Sequence, residues 1–286
     1  MELVAGATAK LKSAGVENPR RDARILLAAA LGLEANANLS DRALTAAEMR
    51  KFKTMVARRA KREPVSRILG RRDFWTLTLK LNKDTLDPRP DSETLVEAVL
   101  AHLPDKARAL RILDLGTGTG CLLLALLSEL KNATGLGVDR ATGALRAARA
   151  NAKAAGLGAR ARFTRGDWSK GLGGRFDVVV ANPPYIPARA IQHLMPEVAR
   201  FDPRAALDGG RDGLAAYRAI LADLRRVLAS HALVAFEVGQ GQAGAVARLL
   251  KGAGLQVLEA RCDLAGIERC IIATAGQIRH TGGGDP

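Results

Sequence analysis

The apolar residues in the first quarter of the chain recur every three or four positions, which is the spacing of a helix with one buried face. Three such helices are expected. The second begins at Asn18-Pro19, where the asparagine side chain can cap the helix and proline suits its first turn. Thr45 is a suitable cap for the third, which should end before Pro64. The pattern predicts a small helical N-terminal domain over residues 1–72.

The apolar spacing shortens to two positions after this domain. Four apolar residues from Trp75 to Leu81 alternate with polar ones, as in a strand with one buried side. A turn at Asn82-Lys83-Asp84 would then fold the chain back on itself. We therefore expect residues 73–90 to form a β-hairpin linker.

Short apolar strands alternate with helical segments over residues 91–276. Such alternation predicts an α/β fold, in which a mostly parallel sheet carries helices on both faces. The last two strands follow one another through Gly266 without an intervening helix, so they should form an antiparallel hairpin at one edge of the sheet. The glycine-rich tail, residues 277–286, is expected to be disordered.

The bulk composition is ordinary for a soluble globular protein. Of the 286 residues, 48% are apolar and 26% are charged. No apolar stretch approaches the roughly 18 residues of a membrane span, and the N-terminus lacks an export signal. Three cysteines and four histidines are scattered without disulfide or metal-ligand spacing. We expect a cytoplasmic protein that holds no metal and contacts no membrane.

The net charge of +15 changes this picture. Residues 50–72 contain ten lysines or arginines and a single acid, Glu63. One interpretation is a solvated helix face, and the other is electrostatic steering towards a protein partner or RNA. Aromatic residues make up only 3% of the chain, so stacking surfaces for single-stranded nucleic acid are sparse. The charge therefore leaves a weak RNA contact through the basic N-terminal helices open.

A glycine-rich turn, Gly116-Thr117-Gly118-Thr119-Gly120, directly follows the apolar strand at residues 111–115. Glycines let a ligand approach the backbone, and the next helix offers free N–H groups at its beginning. The spacing departs from the G-x-G-x-x-G pattern of dinucleotide-binding proteins. About 20 residues further on, Asp139 ends the next strand, where an acid can accept hydrogen bonds from a ribose diol. Together these features favour a nucleoside-containing ligand over a plain tight turn.

Two later strand ends also carry candidate side chains. Asp167 and Trp168 could bond and stack on an adenine, although Trp168 alone equally suits a core position. Asn182-Pro183-Pro184-Tyr185 follows the buried strand at 176–181, which the two prolines must end. An amide, a stiff backbone and an aromatic ring suit a planar NH2 group, and the alternative is a proline-rich turn. Open α/β sheets bind ligands at the carboxyl ends of their strands, so these residues should lie at one edge.

In this order the motifs resemble those of class I S-adenosylmethionine-dependent methyltransferases, and Asn182-Pro183-Pro184-Tyr185 resembles the motif of enzymes that methylate planar nitrogen. Residues 70–75, 88–93 and 236–242 resemble segments of the HemK/PrmC family. That family methylates the N5 amide nitrogen of a glutamine in peptide chain release factors. The resemblance extends over roughly residues 20–275. It has one departure, Asp87, where the family usually carries an aliphatic residue.

The resemblance implies a domain plan and a cofactor. Residues 91–276 would form the S-adenosylmethionine-dependent methyltransferase domain, a Rossmann-like sheet of seven strands, and residues 1–72 would recognise the substrate. The cofactor would be S-adenosyl-L-methionine. The residues implied to bind it are Gly116, Thr117, Gly118, Thr119, Gly120, Asp139, Asp167, Trp168 and Asn182.

The same resemblance implies how the substrate amide is held. Asn182 Oδ1 and the Pro183 carbonyl oxygen would accept hydrogen bonds from the amide nitrogen of the glutamine in a Gly-Gly-Gln motif. Pro184 would stiffen the loop, and Tyr185 would pack on the flat amide. Asp114 would hold either the glycine turn or the methionine amine of the cofactor, and both roles stay open.

Four other functions fit part of the pattern. An N6-adenine nucleic-acid methyltransferase could use the same clamp on a flipped base, and the positive charge favours it, but the chain has no added domain for reading a groove. A ribosomal-protein glutamine methyltransferase shares the chemistry but differs at residues 88–93. A non-enzymatic RNA-binding or assembly factor could use this fold, although intact Asn182 and Tyr185 argue against it. A dehydrogenase fits least, because the glycine spacing is wrong for a dinucleotide.

Overall fold

The computed structural model describes residues 2–35, 37 and 44–276. The chain divides into two units, Met1–Arg71 with Leu194–Phe201, and Arg72–His193 with Asp202–Pro286. Nothing in the sequence indicates that Leu194–Phe201 belongs with the N-terminal helices. The predicted domain limits at residues 72 and 90 remain predictions, and the tail predicted to be disordered lies outside the described residues.

Ten helices and nine strands follow one another in the described part of the chain. The helices are α1 (Glu2–Ser13), α2 (Pro19–Ala30), α3 (Ala46–Ala60), α4 (Val65–Leu69), α5 (Glu93–Ala101), α6 (Cys121–Glu129), α7 (Thr142–Ala154), α8 (Pro196–Ala199), α9 (Ala215–Leu224) and α10 (Ala243–Gly252). The strands are β1 (Arg71–Phe74), β2 (Leu77–Lys80), β3 (Arg111–Leu115), β4 (Thr134–Asp139), β5 (Ala161–Arg165), β6 (Phe176–Ala181), β7 (Leu228–Glu237), β8 (Gln256–Cys262) and β9 (Glu268–Thr274). No helix among the described residues is long and apolar enough to span a lipid bilayer.

The first unit packs its helices around a small apolar core that includes Leu11, Leu26 and Phe52. Helix α2 begins at the predicted proline, but the expected cap is wrong, because Asn18 makes no side-chain cap hydrogen bond. Helix α3 begins after Thr45 in a capping box, in which the threonine hydroxyl accepts from the N–H of Glu48 and the Glu48 carboxylate accepts from the N–H of Thr45. The short helix α4 was not predicted.

A buried ion-pair network joins α8 to the helices of this unit. Arg62 donates from Nε and Nη2 to the two carboxylate oxygens of Glu197, at 2.7 Å each. Arg59 donates to Glu197 at 2.9 Å and to Asp22 at 2.7 Å. Burial alone would raise the pKa of Glu197, but the hydrogen bonds from both arginines lower it. Glu197 is therefore an ionised anchor for the segment Leu194–Phe201.

The predicted hairpin turn is at the wrong place. Strands β1 and β2 are joined by Trp75 and Thr76 alone, and Trp75 adopts a left-handed φ of 55°. The Glu93 carboxylate accepts from the Trp75 backbone N–H at 2.8 Å, which supports this unusual conformation. The chain does turn at Asn82–Asp84, where the N–H of Thr85 donates to the carbonyl of Asn82, but this turn does not join β1 to β2. It is fastened to α7, since the Asn82 side chain donates to the carbonyl of Gly143. Alternation marks the strands but does not mark the turn between them.

The second unit contains a seven-stranded sheet with the order β5-β4-β3-β6-β7-β9-β8. Strands β3 to β7 pair in parallel, whereas β9 is antiparallel to both β7 and β8. Gly266 forms the turn between the last two strands at a φ of 77°. The predicted α/β class, with a mostly parallel seven-stranded sheet and an antiparallel edge hairpin, is confirmed.

Alternate residues of the central strands supply two separate apolar cores. In β6, Val178 and Val180 join the core that includes α5 and α6, while Val179 and Ala181 join the core that includes α9 and α10. Successive side chains of a strand point to opposite faces, so the two cores lie on opposite sides of the sheet. Helices therefore cover both faces of the sheet, and its strand ends are left open to a ligand.

Glu197→Ala should destabilise the first unit, because Arg59 and Arg62 lose a shared carboxylate at a largely buried position. Removal of one partner from a buried pair costs about 3–5 kcal/mol, and the partial exposure of Arg62 places the effect near about 3 kcal/mol. Hydrogen exchange of the backbone amides in α2 and α3 measures the opening of this unit. The control is Asp212→Ala, which removes an exposed pair with Arg218 and should leave the exchange unchanged. Equal protection in Glu197→Ala and the wild type would contradict the anchor.

Candidate active site

The register of the sheet brings four candidate residues into one row. The last residues paired between neighbouring central strands are Leu115 with Val138, Leu115 with Ala181, and Ala181 with Phe236. The next residue of each chain segment therefore emerges at the same edge. These residues are Asp139, Gly116, Asn182 and Glu237, in the spatial order β4, β3, β6 and β7. The edge is the carboxyl end of the parallel strands, as expected for a ligand site.

The glycine turn needs its glycines. Gly116, Gly118 and Gly120 all adopt left-handed φ values, of 76°, 55° and 83°. The backbone N–H groups of Gly116 and Thr117 both donate to the carbonyl of Val138, which ties the turn to β4. Helix α6 starts directly after Gly120. Side chains at these positions would strain the turn, so the backbone itself forms this wall of the site.

Asp139 is fixed by two backbone N–H groups. Its Oδ2 accepts from Gly118 at 2.9 Å, and its Oδ1 accepts from Ala141 at 2.8 Å. A carboxylate oxygen has a second lone pair, so both oxygens can still accept from a ligand hydroxyl. The acid thus also shapes the glycine turn, which the sequence does not reveal.

Trp168 lies between the second apolar core and the cavity. It packs against the second apolar core, and its ring also covers Gly116, where a Cβ atom would lie 3.3 Å from Trp168 Cζ3. Its backbone has a left-handed φ of 54°, and strained residues of this kind cluster at functional sites. Asp167 is exposed and pairs with Lys170 Nζ at 2.5 Å.

A cavity of about 450 Å³ opens at this edge of the sheet. Its size is in the range of small-molecule sites. The predicted residues that line it are Gly116, Thr117, Gly118, Thr119, Asp139, Asp167, Trp168, Asn182 and Pro184. Gly120, Pro183 and Tyr185 are not among its lining residues. The structure therefore brings most of the predicted set together, while Tyr185 lies behind the wall.

The charge of the cavity is opposite to that of the chain. Among the described lining residues five aspartates face one arginine, Arg140, although the whole chain has a net charge of +15. The five are Asp84, Asp114, Asp139, Asp167 and Asp208. Such a cavity attracts a cationic small molecule. This contrast depends on the fold, because the five aspartates are spread over more than 120 positions of the sequence.

Asp114 is the most deeply buried of these acids. Its Oδ2 accepts from the Thr117 hydroxyl at 2.6 Å, while Oδ1 has no hydrogen-bond partner among the described residues. Burial, together with the nearby charge of Asp139, raises the pKa of Asp114 to about 7. Both roles left open by the sequence have support, since the acid holds the turn and also keeps an oxygen for a ligand.

The Asn182–Tyr185 loop is held from behind by the segment that follows β7. Gln242 donates from Nε2 to the Tyr185 carbonyl at 2.9 Å and accepts from the N–H of Gly239 at 3.1 Å. The Tyr185 hydroxyl donates to Glu237 Oε1 at 3.3 Å. Tyr185 therefore braces the loop within the protein and does not line the cavity.

Ser92 and Glu237 are functional candidates that were not singled out from the sequence. Asn182 donates from Nδ2 to Ser92 Oγ at 3.3 Å, and Ser92 makes no side-chain cap hydrogen bond at the start of α5. Burial raises the pKa of Glu237 to about 7, although Ser92, Tyr185 and Arg269 oppose the rise. The signal was available, because both residues lie in segments that carry the family resemblance.

The departure at Asp87 is accommodated in the structure. Its side chain is buried, and Oδ1 lies 3.6 Å from Arg72 Nε. The backbone N–H of Asp87 donates to Asp202, which also accepts from Arg89. The extra acid therefore pairs with Arg72, and it is not one of the lining residues of the cavity.

Strand order, glycine turn and acidic cavity together define a class I methyltransferase. Two family models match, one described as the PrmC N-terminal domain over residues 2–70 and one as the methyltransferase small domain over residues 89–201. A crystal structure of a methyltransferase from Pyrococcus furiosus aligns with a TM-score of 0.52 over 70% of this chain and 89% of that one. At 16% identity it supports the fold alone.

Two curated relatives carry the name release factor glutamine methyltransferase. The protein from Rhodospirillum rubrum is 55% identical over 266 residues, which are 92% of this chain and 81% of that one. The protein from Caulobacter vibrioides is 44% identical, with 92% of each chain covered. This chain belongs to the family of release factor glutamine methyltransferases, and the predicted family resemblance is confirmed.

The free energy of unfolding of the second unit should fall as the pH rises from about 4 to about 7, because of two buried acids. Asp114 and Glu237 keep their protons up to about pH 7 in the folded chain but lose them near pH 4 when unfolded. The unfolded state then binds fewer protons in this window, so a rising pH favours it. Asp114→Asn should remove the Asp114 share, on the order of 2–3 kcal/mol between pH 5 and pH 8.

Urea unfolding at pH 5 and pH 8 measures this difference. Both tryptophans of the chain, Trp75 and Trp168, lie in the second unit, so their fluorescence reports its unfolding. Groups whose pKa is lowered, such as Asp263, are shared by both proteins and cancel in the comparison. An Asp114→Asn variant with the same pH dependence as the wild type would rule out a buried, neutral Asp114.

Proposed function

We propose that this protein transfers a methyl group from S-adenosyl-L-methionine to the N5 amide nitrogen of a glutamine in peptide chain release factors, and that it does so in the cytoplasm. The observation that carries the proposal is the position of Asn182. Its amide lines an acidic cavity beside the glycine turn, and its Nδ2 donates to Ser92 of the protein. The chain also belongs to the family of release factor glutamine methyltransferases. The predicted RNA contact gains no support from these observations and is not part of the proposal.

The charge and the polar groups of the cavity support this cofactor. S-adenosyl-L-methionine supplies a methyl group already activated by attachment to a positively charged sulfur. Five lining aspartates suit a ligand with a sulfonium and an ammonium group. The buried, unpartnered Oδ1 of Asp114 suits the ammonium, and Asp139 suits the ribose hydroxyls. Trp168 and Asp167 line the same cavity, where the ring would give an adenine a stacking face and the carboxylate would give its amine an acceptor.

The nucleophile is the difficult partner in this reaction. The lone pair of a carboxamide nitrogen is delocalised into its carbonyl, as in a peptide bond. Acceptors aimed at its N–H groups orient the nitrogen and stabilise the positive charge that develops on it. Asn182 Oδ1 would be one acceptor, since no described residue donates to it. The family resemblance assigns the second to the Pro183 carbonyl, although Pro183 is not a lining residue of the cavity. Tyr185 and Gln242 keep this loop in place from behind.

The side chains around Asn182 do not offer a competing nucleophile. Burial raises the pKa of the Cys121 thiol, which lines the cavity, to about 12, so it stays protonated and unreactive. Positioning and electrostatics therefore carry the reaction, and a proton can leave the nitrogen after the methyl group has been transferred. Orientation alone accounts for up to about 7–11 kcal/mol in favourable intramolecular reactions.

The test of this function is a choice of substrates. The purified protein is incubated with methyl-labelled cofactor and, in separate reactions, with a release factor, ribosomal proteins, and DNA. We expect label on the release factor alone, mapped by mass spectrometry to the glutamine of its Gly-Gly-Gln motif. A release factor with that glutamine replaced by glutamate is the negative control. Label on an adenine or on a ribosomal protein would instead support one of the two alternative methyltransferases.

Asn182→Ala should abolish most of the methyl transfer while the cofactor still binds. The variant loses an acceptor at the nitrogen but leaves the glycine turn, Asp139 and Trp168 in place. Removal of one such group typically lowers kcat by about 10²–10³-fold. Single-turnover rates give the loss, and calorimetry gives the affinity for the cofactor. A variant with the rate of the wild type would exclude the amide clamp.

Asp139→Ala should chiefly weaken cofactor binding. The alanine loses the acceptor for the ribose and also the hydrogen bonds that hold the N–H groups of Gly118 and Ala141. We expect the Kd for S-adenosyl-L-methionine to rise at least about tenfold, equal to about 1.4 kcal/mol. Asp167→Ala is the control, since that side chain is exposed and should contribute less. Unchanged affinity in calorimetry would remove Asp139 from the ribose site.

A further inference from the structure

Asn182, Ser92 and Glu237 form a relay that leads from the cavity into the protein, since Asn182 and Ser92 line the cavity and Glu237 does not. Asn182 donates from Nδ2 to Ser92 Oγ at 3.3 Å. Ser92 lies near the carboxyl group of Glu237 and lowers its pKa, and Glu237 Oε2 makes no hydrogen bond among the described residues. Ser92 and Glu237 are each only 2% exposed. Water therefore has little access to Ser92 and Glu237, so their polar groups depend on hydrogen bonds within the protein.

The direction of each hydrogen bond in this relay follows from Tyr185 and Glu237, which lie at the end away from the cavity. The Tyr185 hydroxyl donates to Glu237 Oε1, and burial raises the pKa of Tyr185, so this hydroxyl keeps its proton. Glu237 Oε2 is buried and has no hydrogen-bond partner among the described residues, so it can accept from the nearby Ser92 hydroxyl. An ionised Glu237 can only accept, so the Ser92 hydroxyl must point its hydrogen at it. The Ser92 oxygen can then only accept from Asn182.

We propose that Ser92, oriented by Glu237, fixes which way round the Asn182 amide lies, so that Nδ2 faces the protein and Oδ1 faces the substrate nitrogen. This inference rests on the proposed function and adds two positioning residues to it. An asparagine amide is nearly symmetric in shape, and a flip would present its NH2 group to the NH2 group of the substrate. Two donors would then oppose each other, and the clamp would repel the atom that it must hold.

The protonation of Glu237 should control this orientation. A protonated Glu237 can donate to Ser92, which frees the Ser92 hydroxyl to donate to Asn182 Oδ1 and so to stabilise the flipped amide. The rate should therefore decrease as Glu237 takes up its proton. The ionisable groups that act on Glu237 or are acted on by it come from several elements. They are Asp91 before α5, Cys121 on α6, Tyr185 after β6, Tyr217 on α9, and Arg269 and Cys270 on β9.

The first test compares Ser92→Ala in two backgrounds. In the wild type, Ser92→Ala should lower kcat about 10–100-fold, as expected for a misplaced reacting group, with little change in the KM or Kd of the cofactor. In the Asn182→Asp background both terminal atoms of the side chain are oxygens, so no flip remains to be fixed. There Ser92→Ala should cost less than about threefold. Ser128→Ala, which removes a hydroxyl bonded only within its own helix, is the control and should keep the wild-type rate.

The second test is a pH profile of single-turnover rates with saturating cofactor and release factor. The rate of the wild type should fall at acid pH. The rate of Glu237→Gln should be low at every pH and should not fall further at acid pH, because an amide can donate to Ser92 at every pH.

Ser92→Thr keeps the hydroxyl and should recover most of the rate that Ser92→Ala loses. If the added methyl group prevents folding, the loss of cofactor affinity will show this, and the comparison of Ser92→Ala in the two backgrounds then tests the proposal without this variant.

The outcomes separate the two levels of the argument. A wild-type protein that does not methylate release-factor glutamine refutes the proposed function. A wild-type protein that does so, with Ser92→Ala equally active, refutes only the positioning role. An equal loss in both backgrounds also refutes it, because Ser92 would then act without Asn182.

Discussion

The site depends on the parallel pairing of β3 with β6. Leu115 pairs with Ala181, so the glycine turn and Asn182 leave the sheet side by side, although 66 positions separate Gly116 from Asn182 in the sequence. A shift of one residue in this register would turn every side chain of β6 to the other face. Val178 and Val180 would then exchange cores with Val179 and Ala181, and burial on both faces opposes this. Core packing therefore sets the distance between the cofactor wall and the amide clamp.

The periodicity of the sequence was sufficient for the sheet but not for its connections. Continuous apolar strands and intervening helices identify a parallel sheet, and Gly266 between two strands identifies its edge hairpin. The first hairpin was misplaced because Trp75 adopts a left-handed turn that depends on the Glu93 carboxylate, 18 positions away. The assignment of Leu194–Phe201 to the helical unit depends on Arg59 and Arg62, which are more than 130 positions from Glu197. Local patterns carry no information about such contacts.

The candidate site was predictable to a similar extent. Residues that emerge at strand ends, such as Asp139 and Asn182, could be found because the ends of parallel strands share one edge. Tyr185 has the right spacing, yet it points away from the cavity to Glu237. In the sequence Ser92 is a serine just before a helix, which is typical of a helix cap. Only the fold shows that Asn182 lies within its reach. The acidic character of the cavity is likewise a property of three-dimensional position in a basic chain.

Directional hydrogen bonds explain why buried acids accompany a clamp that is itself neutral. A neutral amide can hold the substrate nitrogen in either of two orientations, and only one of them presents an acceptor. A group that can only accept, placed two hydrogen bonds away, removes this ambiguity without placing a charge against the reacting nitrogen. Burial makes such a group costly, which is visible in the raised pKa of Glu237. Tyr185 and Arg269 offset part of that cost, so the residues behind the wall are as much a part of the site as the residues that line it.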